Sequence, residues 1–339
     1  MNPAPSILVV APNWLGDVLM ALPAVQSAIA ARPDAHWTLL TRPAFAPLWA
    51  MALPPPPQAS ILTHPKTAPL RPLLRRLAAE SFTTAYILPH SFRSAWPPYL
   101  ARIPDRIGLP GHLFRDLLLT QTRPPRRTPD RAHQAYEILD LFQIPTPDNR
   151  IPPPRLHLPA DARETAMARL NSFPKPWISI LPGAARGPSK QWPAESYSRL
   201  LQLLSEQTPA TFFLLGTPAE APLCQTIAAA PPSSRRAQNL AGTTTLEQMT
   251  AILALSDAVV CNDSGGMHLA AALGTPLVAL FGITDPAQTG PLGSAPIHIL
   301  QHSTLRTRDL PRRSPVAEAA LRSIPPEEAL AALLPLLPR

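Results

Sequence analysis

The sequence predicts two α/β domains in tandem, each a parallel sheet with helices on both faces. Three observations carry this expectation. The 339 residues exceed what one hydrophobic core usually organises. An alternation of short apolar runs and helical patterns passes along the chain twice. A proline-rich stretch with almost no periodicity, residues 144–160 (IPTPDNRIPPPRLHLPA), separates the two passes and reads as an extended, semi-rigid linker.

In the first pass, strands are expected at 6–11, 36–41, 60–63 and 84–88, with helices at 17–31, 44–51 and 70–80. In the second, strands fall at 177–181, 211–215, 258–262 and 277–281. Helices fall at 161–171, 194–206, 220–229 and 246–255, with a short one from about 265. The final segment, 325–337, is amphipathic and opens Pro-Pro-Glu-Glu, a good helix start because proline fits the first turn and the acids meet the helix dipole.

Composition narrows the classes. Apolar residues make up 45% and charged residues 15%, ample for a core, and 48 prolines imply stiff connections. The long apolar stretch 269–281 is broken by Gly274 and Pro276 and falls short of the roughly 20 residues of a membrane helix, so no span is expected. The start, MNPAPSILVVAPNW, lacks a basic region before its apolar run and does not read as a signal peptide, which points to the cytoplasm. Cys224 and Cys261 sit in apolar elements and suggest packing, not a disulfide or a metal cluster. A net charge of +8 fits a polyanionic partner (nucleic acid, an anionic membrane surface or a phosphorylated substrate) or a basic surface serving solubility. The basic loops 123–131 (RPPRRTPDR) and 306–313 (RTRDLPRR) have no interleaved aromatic to stack on bases; they read as solvated surface or as contacts to an anionic acceptor.

Three local patterns could carry chemistry. The first, Asn13-Trp14-Leu15-Gly16-Asp17, follows the first strand, where open α/β sheets place their ligands. Gly16 allows close backbone approach, and Asp17 is either a general base or a helix cap. The second, residues 181–192 (LPGAARGPSKQW), is a glycine-containing loop before a helix. Lys190 follows Ser189 and is not followed by Ser or Thr, so the Walker pattern fails; free N–H groups and one lysine can still hold a diphosphate, while a solvent-exposed lysine is the plainer reading. The third, residues 262–268 (NDSGGMH), ends a strand in an acid, a hydroxyl and two glycines. Its N–H groups and Ser264 suit phosphate oxygens and Asp263 suits sugar hydroxyls, against the plainer reading of a capped turn with His268 half-buried. No GxGxxG, HExxH, CxxC or GxSxG occurs, which removes the fingerprints of dinucleotide oxidoreductases, zinc proteases, zinc ribbons and α/β-hydrolases.

In order along the chain, PNWLGDVLMALPAV, LPHSFRS, PGAARGPSKQWP, NLAGTTTLEQ, NDSGGMHLAAALGTPLVALFGITDP and IPPEE together resemble family 9 glycosyltransferases, the ADP-heptose:lipopolysaccharide heptosyltransferases. The GPSKQWP wording is nearest the heptosyltransferase II branch. The resemblance implies a GT-B fold, two Rossmann-like domains facing across a cleft. Residues 1–150 would meet the acceptor, 151–324 would hold the nucleotide sugar, and 325–339 would form a helix packing back on the N-terminal domain.

By the same resemblance Asp17 is the catalytic base and Lys190 neutralises the diphosphate. Asp263 would hold the heptose, with Ser264, Gly265, Gly266 and His268 around the diphosphate and Glu220 on the ribose hydroxyls. Gly183, Ser189 and Thr245 complete the donor side; Asn13, Gly16, Ser91 and Arg93 form the acceptor side. No metal or cofactor is implied, ADP-heptose being the donor substrate. The acceptor implied is a phosphorylated glycolipid, the lipid A-linked inner core, at the inner face of the cytoplasmic membrane, with no nucleic acid partner; its phosphates and acidic sugars would account for the positive charge. The pattern departs from the family at Ile283, where proline is common, at His90, where asparagine is common, and in lacking the family's C-terminal cysteines, which bears on the acceptor more than on the donor class. Two other readings stand beside this one. One is a transferase or epimerase for another nucleotide sugar; the other is a non-catalytic sugar-nucleotide binder, which would dispense with Asp17 or Lys190.

Overall fold

The computed structural model describes residues 4–230, 235–307 and 311–338. The chain divides into two units, 1–157 and 158–339. The first runs β1 (Ser6–Val10), α1 (Leu15–Ala30), β2 (His36–Thr41), α2 (Ala46–Ala52), β3 (Ala59–Thr63), α3 (Leu70–Ala79), β4 (Thr84–Ile87), α4 (Phe92–Leu100), β5 (Asp105–Gly108), α5 (Leu113–Asp116), β6 (Gln121–Thr122) and α6 (Ala135–Leu141). Its six strands are all parallel in the order β3-β2-β1-β4-β5-β6. β1 is central and covered on both faces, which is why it reads as an unbroken apolar run and not as an alternation.

The second unit runs α7 (Ala160–Leu170), β7 (Trp177–Leu181), α8 (Ala194–Gln207), β8 (Thr211–Leu214), α9 (Ala221–Ala228), β9 (Ala237–Asn239), α10 (Leu246–Leu255), β10 (Ala258–Asn262), α11 (Gly265–Ala272), β11 (Leu277–Leu280), α12 (Pro286–Thr289), β12 (Ile297–Leu300), α13 (Pro315–Arg322) and α14 (Pro326–Leu333). Its sheet, β12-β11-β10-β7-β8-β9, is again parallel and repeats the order of the first. Each sheet is therefore the doubly wound Rossmann arrangement, with a switch point between β1 and β4 in one and between β7 and β10 in the other.

Two expectations about boundaries change. The linker belongs to the first unit as far as His157, because the Gln26 amide donates to Arg155 O at 2.7 Å and accepts from Arg155 N at 3.1 Å, and His157 N donates to Met51 O at 2.7 Å. The terminal helix, expected to pack back on the first domain, places Ala329, Leu330 and Leu333 in the second unit's own core against α8. Trp192 Nε1 donates to Ile324 O at 3.1 Å and fixes the entry to it.

The basic loop 123–131 is anchored, not simply solvated. Arg126 binds Asp140 through its backbone N (2.8 Å), Nε (3.0 Å) and Nη2 (2.8 Å), and the buried Arg131 adds Nη2 at 2.7 Å. Arg123 Nη1 donates to Leu141 O at 2.8 Å. Of the other basic loop, residues 308–310 lie outside the described residues. Because Asp140 is buried beside a buried guanidinium, Asp140→Ala leaves that charge uncompensated. It should lower the unfolding free energy by about 3–5 kcal/mol in a denaturant titration, whereas Glu164→Ala, on the exposed side of α7, should change it by less than about 0.5 kcal/mol.

Candidate functional site

The three sequence patterns lie at the carboxyl ends of the strands flanking the two switch points. In the second unit, residues 182–192 follow β7 and residues 263–268 follow β10. Asn262 joins them. Fully buried, it accepts from Trp192 N and Tyr197 Oη, both at 3.0 Å, and its amide donates to Pro182 O at 2.7 Å and Gly183 O at 3.4 Å.

On this frame Lys190 Nζ lies 2.5 Å from Asp263 Oδ2, and Thr284 Oγ1 donates to the same oxygen at 2.6 Å. The lysine and the carboxylate, which the sequence reading gave separate roles, form one ion pair. Glu220 is held by Thr217 N and Thr217 Oγ1, each at 2.8 Å, and its carboxylate lies over Gly183 so closely that a Cβ there would be 1.9 Å from Glu220 Oε1. Position 183 therefore has to be glycine for Glu220 to sit at the end of β7.

Other donor-side expectations resolve differently. Ser189 is buried, and its hydroxyl has no hydrogen-bond partner among the described residues. Thr245 caps α10 in a reciprocal box with Gln248: Gln248 N donates to its Oγ1 at 3.2 Å and Thr245 N donates to Gln248 Oε1 at 3.0 Å. Gly266 makes room for Leu181, whose Cδ1 would be 2.9 Å from an added Cβ. Gly265 opens α11 and is half-buried; Ser264 occupies the N-cap position without a capping bond from its side chain, and His268 is buried on the same helix.

In the first unit a pocket of about 200 Å³ lies at the ends of β1 to β4. Its polar lining includes Asn13, Arg42, His64, Lys66, Ser91, Arg93 and Ser94. Arg42 Nε donates to Asn13 Oδ1 at 3.0 Å and Arg42 Nη1 to His64 O at 3.2 Å, so one guanidinium ties three strand ends together. Burial, and then the Arg42 charge, lower the pKa of His64 below the usual imidazole range. The pocket's fixed positive charges are thus Arg42, Lys66 and Arg93. Sequence reading found Asn13, Ser91 and Arg93 and missed Arg42, His64 and Lys66; likewise it missed Asn262 as a hub and Thr284.

Asp17 is exposed in the first turn of α1, near this pocket in sequence but not among its lining residues. α1 starts at Leu15, with Trp14 in the N-cap position and no side-chain cap. Asp17 is the third helical residue, so the reading of it as the cap is corrected. Gly16 stands between them, half-buried. Burial pushes the Cys224 thiol up to about 12 and Cys261 higher still, so both are packing groups without nucleophilic character near neutral pH.

The pattern described as Glycosyltransferase family 9 (heptosyltransferase) matches residues 70–316. The chain belongs to glycosyltransferase family 9. This glycosyltransferase is 31% identical to lipooligosaccharide heptosyltransferase 2 of Haemophilus influenzae over 98% of its own length and 99% of the relative's. It is 33% identical to lipopolysaccharide heptosyltransferase 2 of Escherichia coli over 84% of its length and 85% of the relative's. Its fold is similar to the solved ADP-heptose LPS heptosyltransferase II of E. coli, with a TM-score of 0.82, 28% identity and 98% of each chain covered. The two parallel six-stranded sheets are those of a GT-B-like α/β protein.

Replacement of Asn262 tests the frame of the second switch point. Asn262→Ala orphans two donors and two carbonyls inside the core and should cost about 2–5 kcal/mol of stability, read by denaturant unfolding. Wild-type stability in this variant would remove the hub from the account.

Proposed function

We propose that this glycosyltransferase moves a heptose from ADP-heptose to a phosphorylated, lipid-linked core oligosaccharide with inversion at the anomeric carbon. The observation that carries the reading is the Lys190–Asp263 pair at the second switch point, set between a glycine-containing loop and the N-terminus of α11. A lysine and free helix N–H groups suit a diphosphate, and a buried carboxylate beside them suits sugar hydroxyls. Glu220 over Gly183 offers an acceptor to ribose hydroxyls. Ser264, Gly265 and Gly266 line the diphosphate, with His268 supporting them from inside α11. Ser189 and Thr245 support the donor loops by packing and capping.

On the acceptor side the three cations of the first pocket suit phosphate or acidic sugars, with Asn13 and Ser91 as neutral partners and Gly16 allowing close approach. Asp17 takes the proton from the attacking hydroxyl as its oxygen bonds to the anomeric carbon. The bond from that carbon to the phosphate oxygen breaks, and ADP leaves with its new charge held by Lys190 and the helix N–H groups. The protein acts in the cytoplasm, in peripheral contact with the inner membrane face. No metal is assigned a role.

Asp17→Asn separates base from scaffold. The change keeps the shape of the side chain in the first turn and removes its charge, and general-base loss should lower kcat by about 10²- to 10⁴-fold with ADP-heptose affinity kept. Near wild-type transfer by the folded variant would make the carboxylate structural.

Lys190→Ala should weaken ADP binding by about 1.5–3 kcal/mol in calorimetry, and it also strands Asp263, so stability should fall as well. A folded variant with unchanged ADP affinity and turnover would take Lys190 out of the donor site.

A further inference from the structure

Helix α5 is inside out. Its one strongly charged base, Arg115, is fully buried, while Leu113, Phe114 and the following Leu117 are 70%, 64% and 69% exposed. Arg115 holds the helix in this pose: Nη2 donates to Ile87 O and Pro89 O, both at 3.1 Å, Nη1 donates to Leu109 O, and Asp116 Oδ1 pairs with Nη1 at 3.0 Å. Gly108 leaves the space, since a Cβ there would lie 2.6 Å from Arg115 Nη2. Neighbouring α4 adds an exposed aromatic row, with Phe92 and Trp96 rings 5.2 Å apart and Trp96 and Tyr99 rings 6.0 Å apart. Seven of the eleven large apolar side chains that stand exposed among the described residues fall between positions 92 and 117.

The charge around this face is one-sided. Residues 70–127 carry ten arginines against Glu80, Asp105 and Asp116; with Arg115 buried and Arg126 bound to Asp140, eight arginines remain against those three acids. Arg106 lies over the Tyr99 ring at 5.5 Å, and Arg102 is exposed beside it. Exposed leucine and phenylalanine, a Trp–Tyr row and an arginine rim together match the layered chemistry of a lipid–water boundary: acyl chains, then headgroups, then phosphate. A second copy of this chain is the poorer occupant, because a symmetric contact would bring the arginine rim against itself.

We propose that the outward face of α4 and α5 docks this protein onto an anionic lipid bilayer, with Leu113, Phe114 and Leu117 entering the interface. No helix of the described residues is long and apolar enough to cross a membrane, so the contact lies in the plane of the surface. The inference deepens the reading that the acceptor is a membrane lipid and rests on it for its purpose, but its test does not.

Full-length protein is sedimented with vesicles of phosphatidylcholine alone or with phosphatidylglycerol added, without sugar donor or acceptor. Wild type should bind the anionic vesicles, bind the neutral ones far less and be released by high salt. The double variant Phe114→Ser with Leu117→Ser should bind at least about tenfold more weakly while thermal unfolding and ADP affinity stay as in wild type. Should that variant not fold, Leu117→Gln alone gives the same reading in reduced size. Failure of wild type to bind anionic vesicles, or equal binding by the variants, overturns the proposal. So does a wild-type dimer in solution that the variants convert to monomer, which would assign the face to a second copy. Because the vesicles hold no acceptor, none of these outcomes bears on heptose transfer, which is scored separately with a soluble, acyl-free acceptor.

Discussion

A single buried amide sets the second switch point. Asn262 ends β10, and in its dry surroundings each unpaired polar group would cost about 1–3 kcal/mol, so its four partners are pinned where the amide can reach them. Two of the partners are carbonyls at the start of the loop after β7 and a third is the N–H at its end. The loop is thereby closed on β10 like a strap. Lys190, two residues before Trp192, can move only with that strap, and this is what makes a 2.5 Å contact to Asp263 a fixed feature of the site. Trp192 then carries the constraint outward: its ring packs edge-on against Tyr197 at 4.8 Å, and its indole N–H holds Ile324 O at the entry to α14.

The two units share one strand order and use their switch points differently. In the second, charge is balanced locally, a lysine against a carboxylate, and the remaining attraction for an anion comes from backbone N–H groups at a helix start. In the first, three strand ends each contribute a basic or imidazole side chain, and Arg42 spends its donors on Asn13 and the His64 carbonyl, holding the cluster open. A preformed pair with a carboxylate suits a ligand having both diphosphate and hydroxyls. A cluster of cations suits a ligand whose recognised groups are anionic throughout.

The central strands were legible because burial on both faces leaves no polar alternation to confuse the reading. The edges were not: β6 is two exposed residues, and β9 is Ala-Gln-Asn, so neither has an apolar signal; their assignment comes from pairing across the sheet. Helix α5 escaped for the opposite reason. Its pattern is inverted, with arginine in and leucine out, and four residues carry too little periodicity to show it. The pocket residues Arg42, His64 and Lys66 stand one to three residues past the ends of two different strands, so no local spacing groups them. Asn262 and Thr284 stood inside motifs with no role of their own; the structure shows Asn262 holding backbone groups and Tyr197, and Thr284 holding Asp263. Some prolines taken as stiffeners of loops start helices, as Pro286 and Pro315 do, where the fixed φ and the missing N–H cost nothing.

The exposed face of α5 and the first switch point hang on the same guanidinium. Arg115 turns three apolar side chains outward by satisfying carbonyls at the ends of β4 and β5, and one of them, Pro89 O, also accepts from Ser94 Oγ at 3.1 Å. Ser94 lines the cationic pocket and binds Ser91 O at 2.5 Å at the start of α4. A force on Leu113 or Leu117 therefore reaches the pocket wall through two hydrogen bonds and no flexible side chain longer than serine beyond Arg115. The exposed face of α5 and the wall of the pocket at Ser94 thus meet at one shared acceptor, Pro89 O.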